Sequence, residues 1–363
     1  MSTENQAPKN TPPAKAIELA ELFQQERFRN INDIPPEIDV LKRLGTMRLA
    51  MHIASAPDRY KRLLKFNEEE IIATPEPKNP ITLIRSGVKL PSLSQVFVQL
   101  QEALKDPTTN AKDLAEIIRQ DPSLSAFLLR MVNSAMFGFK TKIDTITRAV
   151  AIVGVKQLST LAAGTSVMTL FKDVPPEHVN MEQFWMHSLA CGFVAKTLAE
   201  RVGHDDPERC FVAGLLHDIG RLVVYMVAPK EALSVGARMK KEKLNIIEAE
   251  EIDLGFNHAR FAAILLKMWN LPLPLINAVL HHHGTEYTGE EERTENLSAA
   301  EIIYLADYII TSLDVGFSGE YYLQAPDLEI WNKLGLSVQE LEKLIQELDM
   351  QLQETLTALM PST

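Results

Sequence analysis

The chain has 363 residues, of which 46% are hydrophobic, enough to bury a substantial core in two domains or one large one. Its formal net charge of -11 argues against broad nucleic-acid binding, which needs a basic footprint. Its two cysteines, Cys191 and Cys210, fall in apolar helical segments and predict small core residues in a reducing compartment, not a disulfide framework.

Residues 1–14 are rich in Pro, Asn and Lys and are expected to be disordered. Lys15 to Arg29 predicts a short amphipathic helix, and Glu37 to Phe66 one or two more with a break at Pro57, making 15–73 an N-terminal helical extension. Between Asp39 and Lys65 the extension carries Lys42, Arg43, Arg48, Arg59, Lys61, Arg62 and Lys65. A solvated face is the plainer reading of these bases; the other is a docking surface for an acidic partner or for the acidic body of the same protein. Thr74-Pro75-Glu76-Pro77-Lys78-Asn79-Pro80 cannot continue a helix and reads as part of an extended linker over 74–88.

From Pro91 onward the period is helical: Ser92 to Lys105, Asn110 to Gln120, Ser123 to Ser134 and Thr145 to Val153, with stops at Asp121-Pro122 and around Gly138. These fill a first lobe, 89–178, suited to packing and partner contact. Asn133-Ser134 has the form of a backbone-satisfying cap. No sustained period-2 run occurs, so an all-α fold is expected, a multi-helix bundle in two lobes with an N-terminal helical extension.

The second lobe, 179–312, carries imidazoles and carboxylates on apolar helices. His187 shares a face with Cys191, Val194 and Leu198. His217-Asp218 ends the apolar run from Phe211, where Gly220 permits a change of direction. His258 follows, then His281, His282 and His283 at the close of a helix expected from about Pro272-Leu273-Pro274 to Gly284. At most two of those three can face one site, because helix neighbours diverge by about 100°. Asp307 aligns with Ile303, Ile310 and Thr311, and a buried carboxylate there costs roughly several kcal/mol unless it is paired or coordinates a metal. A lone histidine on an apolar face is mostly a satisfied core residue; seven histidines and aspartates in the order H…HD…H…HH…D point to a shared cation.

Residues 313–363 close the chain. Ser337 and Glu340 form a capping-box pattern ahead of Leu341, Leu344, Ile345, Leu348 and Leu352, predicting an amphipathic helix docked on the body. No run of 18 or so consecutive apolar residues and no charged-then-apolar leader is visible, so a cytoplasmic location without membrane contact is expected.

The ordered pattern resembles the HD superfamily of metal-dependent phosphohydrolases, whose doublet is His217-Asp218 here. Leu90-Pro91-Ser92-Leu93, the stretch from Ile117 to Leu124, the stretch from Leu128 to Gly138, Ala149 to Gly154, Gly214 to Arg221, and His258 through Trp269-Asn270-Leu271-Pro272 are similar to the HDOD branch, the HD-related output domain of bacterial signalling proteins. The resemblance runs from about Lys89 to the end, an HDOD domain at 89–363. It implies a first metal held by His187, His217, Asp218 and Asp307, and a second held by His258, His281 and His282, with Asp218 bridging. Mixed histidine and carboxylate ligation suits one or two ions of iron, manganese or zinc.

The function so implied is signal transduction with an intact metal site and a protein partner. The alternative is an active phosphohydrolase or phosphodiesterase on a nucleotide or other phosphate-containing small molecule, with Asp218 and Arg221 as catalytic residues. Arg221 could offer a fork to a phosphate or serve as a structural ion pair. The related HD-GYP enzymes carry Lys where this chain has Arg221, and Gly-Tyr-Pro where it has Gly284-Thr285-Glu286-Tyr287-Thr288-Gly289, so cyclic-di-GMP hydrolysis is not expected.

Overall fold

The computed structural model describes residues 12–55, 79–85, 94–106, 108–171, 174, 179–284, 297–317 and 319–359. Among the described residues every regular element is helical. The expected disorder of 1–11, the break at Pro57 and the linker residues 74–78 and 86–88 lie outside them. So do the Leu90-Pro91-Ser92-Leu93 motif and the segment after Gly284. Within them Ala14 already opens a helix, and Pro80–Arg85 is a short helix where an extended linker was expected, because a proline is tolerated at the first helical position.

The extension forms two packed helices, Ala14–Arg27 and Pro36–Ser55. Two of its bases pair with the acidic body of the same chain, Arg43 from an exposed position and Arg48 from a buried one. Arg43 Nη2 lies 2.8 Å from Glu342 Oε1, and Arg48 pairs with Asp349. Arg59, Lys61, Arg62 and Lys65 lie outside the described residues.

In the first lobe, side chains start the helices where the sequence places them. Ser94 Oγ accepts from Phe97 N at 3.1 Å and opens Gln95–Lys105. Asn110 and Asp113 form a reciprocal capping box at Ala111–Arg119. Asp121 Oδ1 accepts from Leu124 N at 2.9 Å, with Pro122 supplying a first helical position that needs no donor. Asn133 is the cap expected, and it also ties a second segment. Its Nδ2 donates to Ile143 O at 2.7 Å and its Oδ1 accepts from Ile143 N at 2.7 Å.

One continuous apolar core runs from this lobe through the second and into the closing helix, Val338–Leu359. Phe97 meets Trp269 edge-on at 6.4 Å, and Phe137 meets Phe193 likewise at 6.3 Å, so aromatic rings bridge the lobes. The closing helix buries Leu341, Leu344, Ile345, Leu348 and Leu352 against the extension and both lobes, with the Ser337–Glu340 cap in place.

The run Pro207–Val227 is long and apolar enough to cross a membrane by length and composition, although no such run was expected from the sequence. Its most apolar window is 83% buried inside the fold and is interrupted by His217 and Asp218, which identifies it as the core of the second lobe.

Candidate metal centre

Five helices and one turn bring the second-lobe ligand types together. Asn180 Oδ1 accepts from Gln183 N at 3.1 Å and starts Met181–Arg201, which buries His187 two turns in. The apolar helix Pro207–Leu216 ends at His217, and Asp218 precedes Ile219–Val227; neither residue is more than 3% exposed. Gly192 and Gly214 meet where Met181–Arg201 crosses Pro207–Leu216, since a Cβ on Gly214 would stand 2.8 Å from Gly192 Cα. At Gly220 a Cβ would fall 2.1 Å from His258 O, so only glycine lets His258–Met268 pass this close to the His217-Asp218 doublet.

The triple histidine differs from expectation. The helix Leu273–Leu280 stops before His281, and His281, His282 and His283 form a turn in which the 100° divergence of helix neighbours no longer applies. His282 and His283 face His258, whereas His281 is half-buried and is not among the groups of mutually close ligand atoms. Asp307 comes from the middle of Ala299–Ser312.

The polar atoms converge closely. His187 Nε2 lies 3.0 Å from Asp307 Oδ1, and His217 Nε2 lies 3.7 Å from that oxygen and 3.5 Å from Asp218 Oδ2. His258 Nε2 lies 3.0 Å from Asp218 Oδ1, 3.4 Å from His282 Nε2 and 2.9 Å from His283 Nε2. Asp218 therefore stands between a His187–His217–Asp307 side and a His258–His282–His283 side. Ligand atoms about 2.1 Å from a tetrahedral or octahedral ion stand roughly 3.0–3.4 Å from one another, close to these spacings.

Three imidazoles are oriented by their far nitrogens. His217 Nδ1 is 2.7 Å from Gly214 O, His282 Nδ1 is 2.6 Å from Val279 O, and His258 Nδ1 is 2.7 Å from Glu250 Oε2. Each Nδ1–H has an acceptor, which aims the Nε2 lone pair inward. The buried Nε2 atoms of His187 and His217 have no partner in hydrogen-bonding geometry, and such orphaned acceptors fit a cation.

The metal-free electrostatics are strained. Burial opposes charge on Asp218, yet the imidazoles of His217 and His258 hold it well below its ordinary value. Asp307 is likewise lowered against burial, chiefly by His187 and His217. His258 is raised to about 10 despite burial, because Glu250 and Asp218 flank it. His282 is lowered to about 3 by burial and by the neighbouring His217 and His258. Burial and then Asp307 push the Cys191 thiol well up, so it lines the site as a neutral group.

Arg221 Nη1 lies 3.8 Å from Asp218 Oδ2. With Glu250, Tyr225, Lys240 and Tyr321 it lines an adjoining cavity of about 260 Å³. Four contributors were not identified from sequence. His283 was passed over for His281. Glu250 is one acid among several in Glu248-Ala249-Glu250-Glu251, with no signal to single it out. Thr311 donates to Asp307 Oδ1 at 3.3 Å. Half-buried Glu320, from an irregular segment, is pushed up to about 8 by burial and then by Asp307 and Asp218.

A family profile described as the HDOD domain matches residues 90–285. An HDOD domain protein of unknown function from Geobacter sulfurreducens has a crystal structure similar to this one. It is 27% identical with a TM-score of 0.61, covering 77% of this chain and 97% of that one. A candidate phosphohydrolase from Shewanella amazonensis SB2B, 24% identical, superposes with a TM-score of 0.60 over 76% of this chain and 97% of its own, a likeness of fold. An uncharacterised protein of Treponema pallidum (strain Nichols) is 26% identical over 255 residues, 69% of this chain. The chain spans about half the length of that relative, 49%.

Proposed function

The chain belongs to the HDOD family, and on that premise we propose that it is a cytoplasmic signal-transduction protein whose second lobe binds one or two divalent ions. The holding residues are His187, His217, Asp218 and Asp307 on one side and His258, His282 and His283 on the other, with iron, manganese or zinc as the ion. The observation that carries this is the convergence of oriented Nε2 atoms on Asp218 and Asp307. In this reading 15–73 is the extension, 74–88 the linker, 89–178 a partner-contact lobe, 179–312 the metal-site lobe and 313–363 the closure.

Elemental analysis of protein purified without added metal tests it. One or two equivalents of such an ion are expected, lost in His217→Ala and Asp218→Ala, and chelation should lower the melting temperature of the wild type. Metal-free protein that also takes up none on incubation would sink the proposal.

A second reading, phosphohydrolysis, draws on Arg221, which lies beside Asp218 and lines the cavity. A bound divalent ion supplies a water acidified toward neutral pH and a clamp for phosphoryl oxygens. Arg221 offers a planar, permanently charged fork to a phosphate. Asp218, held ionised, can orient a proton donor beside it. At about 260 Å³ the cavity is below the roughly 300–1,000 Å³ typical of drug-sized ligands, which favours a small phosphate-containing molecule. Release of phosphate from a panel of esters by metal-loaded protein, abolished by Asp218→Ala, is the expected result; a silent panel would leave signalling as the function.

A further inference from the structure

The extension lies outside the segment that matches the family, as does the helix that delivers Asp307, and the extension grips that helix. The last carbonyls of any helix lack intrahelical donors. At Ala299–Ser312 the backbone that follows serves Ile309 O, Ile310 O and Thr311 O, and Ala14–Arg27 completes the end: Gln24 Nε2 reaches Ser312 O at 3.0 Å and Arg27 Nη1 adds a second donor to Thr311 O at 2.7 Å. Both side chains are buried, Gln24 fully and Arg27 to within 2%. Arg27 Nη2 also donates to Asp314 Oδ1 at 2.8 Å, and Arg27 O accepts from Leu323 N at 2.9 Å. The guanidinium thus spans the helix end and the segment after it, with its charge at the negative end of the helix dipole.

What Arg27 holds bears directly on the site. Thr311, whose carbonyl it binds, donates its hydroxyl to Asp307. The segment beyond Asp314 backs onto the His187 helix, with Phe317 N donating to Gln183 O at 3.0 Å and Gly316 too close to His187 N to admit a Cβ. Arg27, Thr311, Gly316 and Glu320 enclose with His187 a crevice of about 10 Å³, room for about one water.

We propose that Gln24 and Arg27 are positioning residues for the metal centre, so that the extension sets the placement of Asp307 and His187. This rests on the metal reading above. Full-length chelator-treated protein is titrated with Co²⁺, following its visible absorption band. Arg27→Ala and Gln24→Ala should bind about tenfold more weakly, as loss of groups supporting metal ligands commonly does, with a shifted band; Arg27→Lys, which keeps a single cationic nitrogen in place of the fork, should recover part of the affinity.

Arg48→Ala removes a different buried anchor of the extension, the pair to Asp349, and should keep wild-type affinity and spectrum. Should Arg27→Ala fail to fold by circular dichroism, Gln24→Ala and Arg27→Lys carry the test. Wild-type affinity and band in folded Arg27 and Gln24 variants, or equal weakening by Arg48→Ala, would overturn the proposal. Wild-type protein that takes up no Co²⁺ would overturn the metal reading and this one together.

Discussion

Glu250 holds His258 at two points: one carboxylate oxygen, Oε2, accepts from the backbone N–H at 2.8 Å and from Nδ1 at 2.7 Å. The same acid thus fixes the first residue of a helix and the tautomer of its ring.

Glu250→Ala strips both donors of their acceptor in a buried place. Metal affinity should fall roughly 10–100-fold, and the chelated protein should also lose about 1–3 kcal/mol. Parallel titration and urea unfolding check this. Unchanged metal affinity would mean that His258 needs no such support.

The pH behaviour of the chelated protein follows from two histidines of opposite sign. His258 is raised to about 10 when folded, above an unfolded value near 6.5, so its contribution is complete below about pH 6.5 and is lost as pH rises through 10. His282 is depressed to about 3, so it contributes above about 6.5 and is lost as pH falls toward 3. Metal loading at neutral pH must displace the His258 proton. Calorimetry in buffers of different ionisation enthalpy should report about one proton released per chain; no buffer dependence would contradict the assignment of His258 as a ligand.

Gly220→Ala places a methyl 2.1 Å from His258 O and 2.9 Å from Ala262 N, both backbone atoms that cannot swing aside. Overpacking of this kind costs typically about 1–3 kcal/mol, and the displaced helix is the one that carries His258. Denaturant midpoints and metal content should fall together. Wild-type values for both would show that the helix moves freely.

Cys191 and Cys210 are buried, and burial pushes both thiols up, Cys210 to about 12. Alkylation at neutral pH should be slow in the native protein and fast after denaturation. Rapid native labelling would mean that the second lobe opens readily.

Most of the candidate centre was legible because His187, His217, Asp218, His258, His282 and Asp307 are polar residues set in apolar helices or at their ends, where nothing local explains them. The resemblance set the second histidine pair at His281-His282, on a helix expected to run to Gly284; the helix ends at Leu280, and the turn that follows brings His283 instead of His281 toward His258, helix termini being the least legible feature of a sequence. Glu250 and Glu320 were invisible for another reason. Their importance comes from tertiary neighbours, and in sequence they are ordinary acids. Arg48 follows the same rule, since it looks solvated until Asp349 is folded against it.

The glycine crossing at Gly192 and Gly214 leaves no side chain between two backbones. His187 and His217 ride on those rails, so the gap between their rings is settled when the core packs, with no adjustable spacer to take up slack. An incoming ion would find a preformed seat instead of shaping one, and small differences in ionic radius should translate into sharp selectivity.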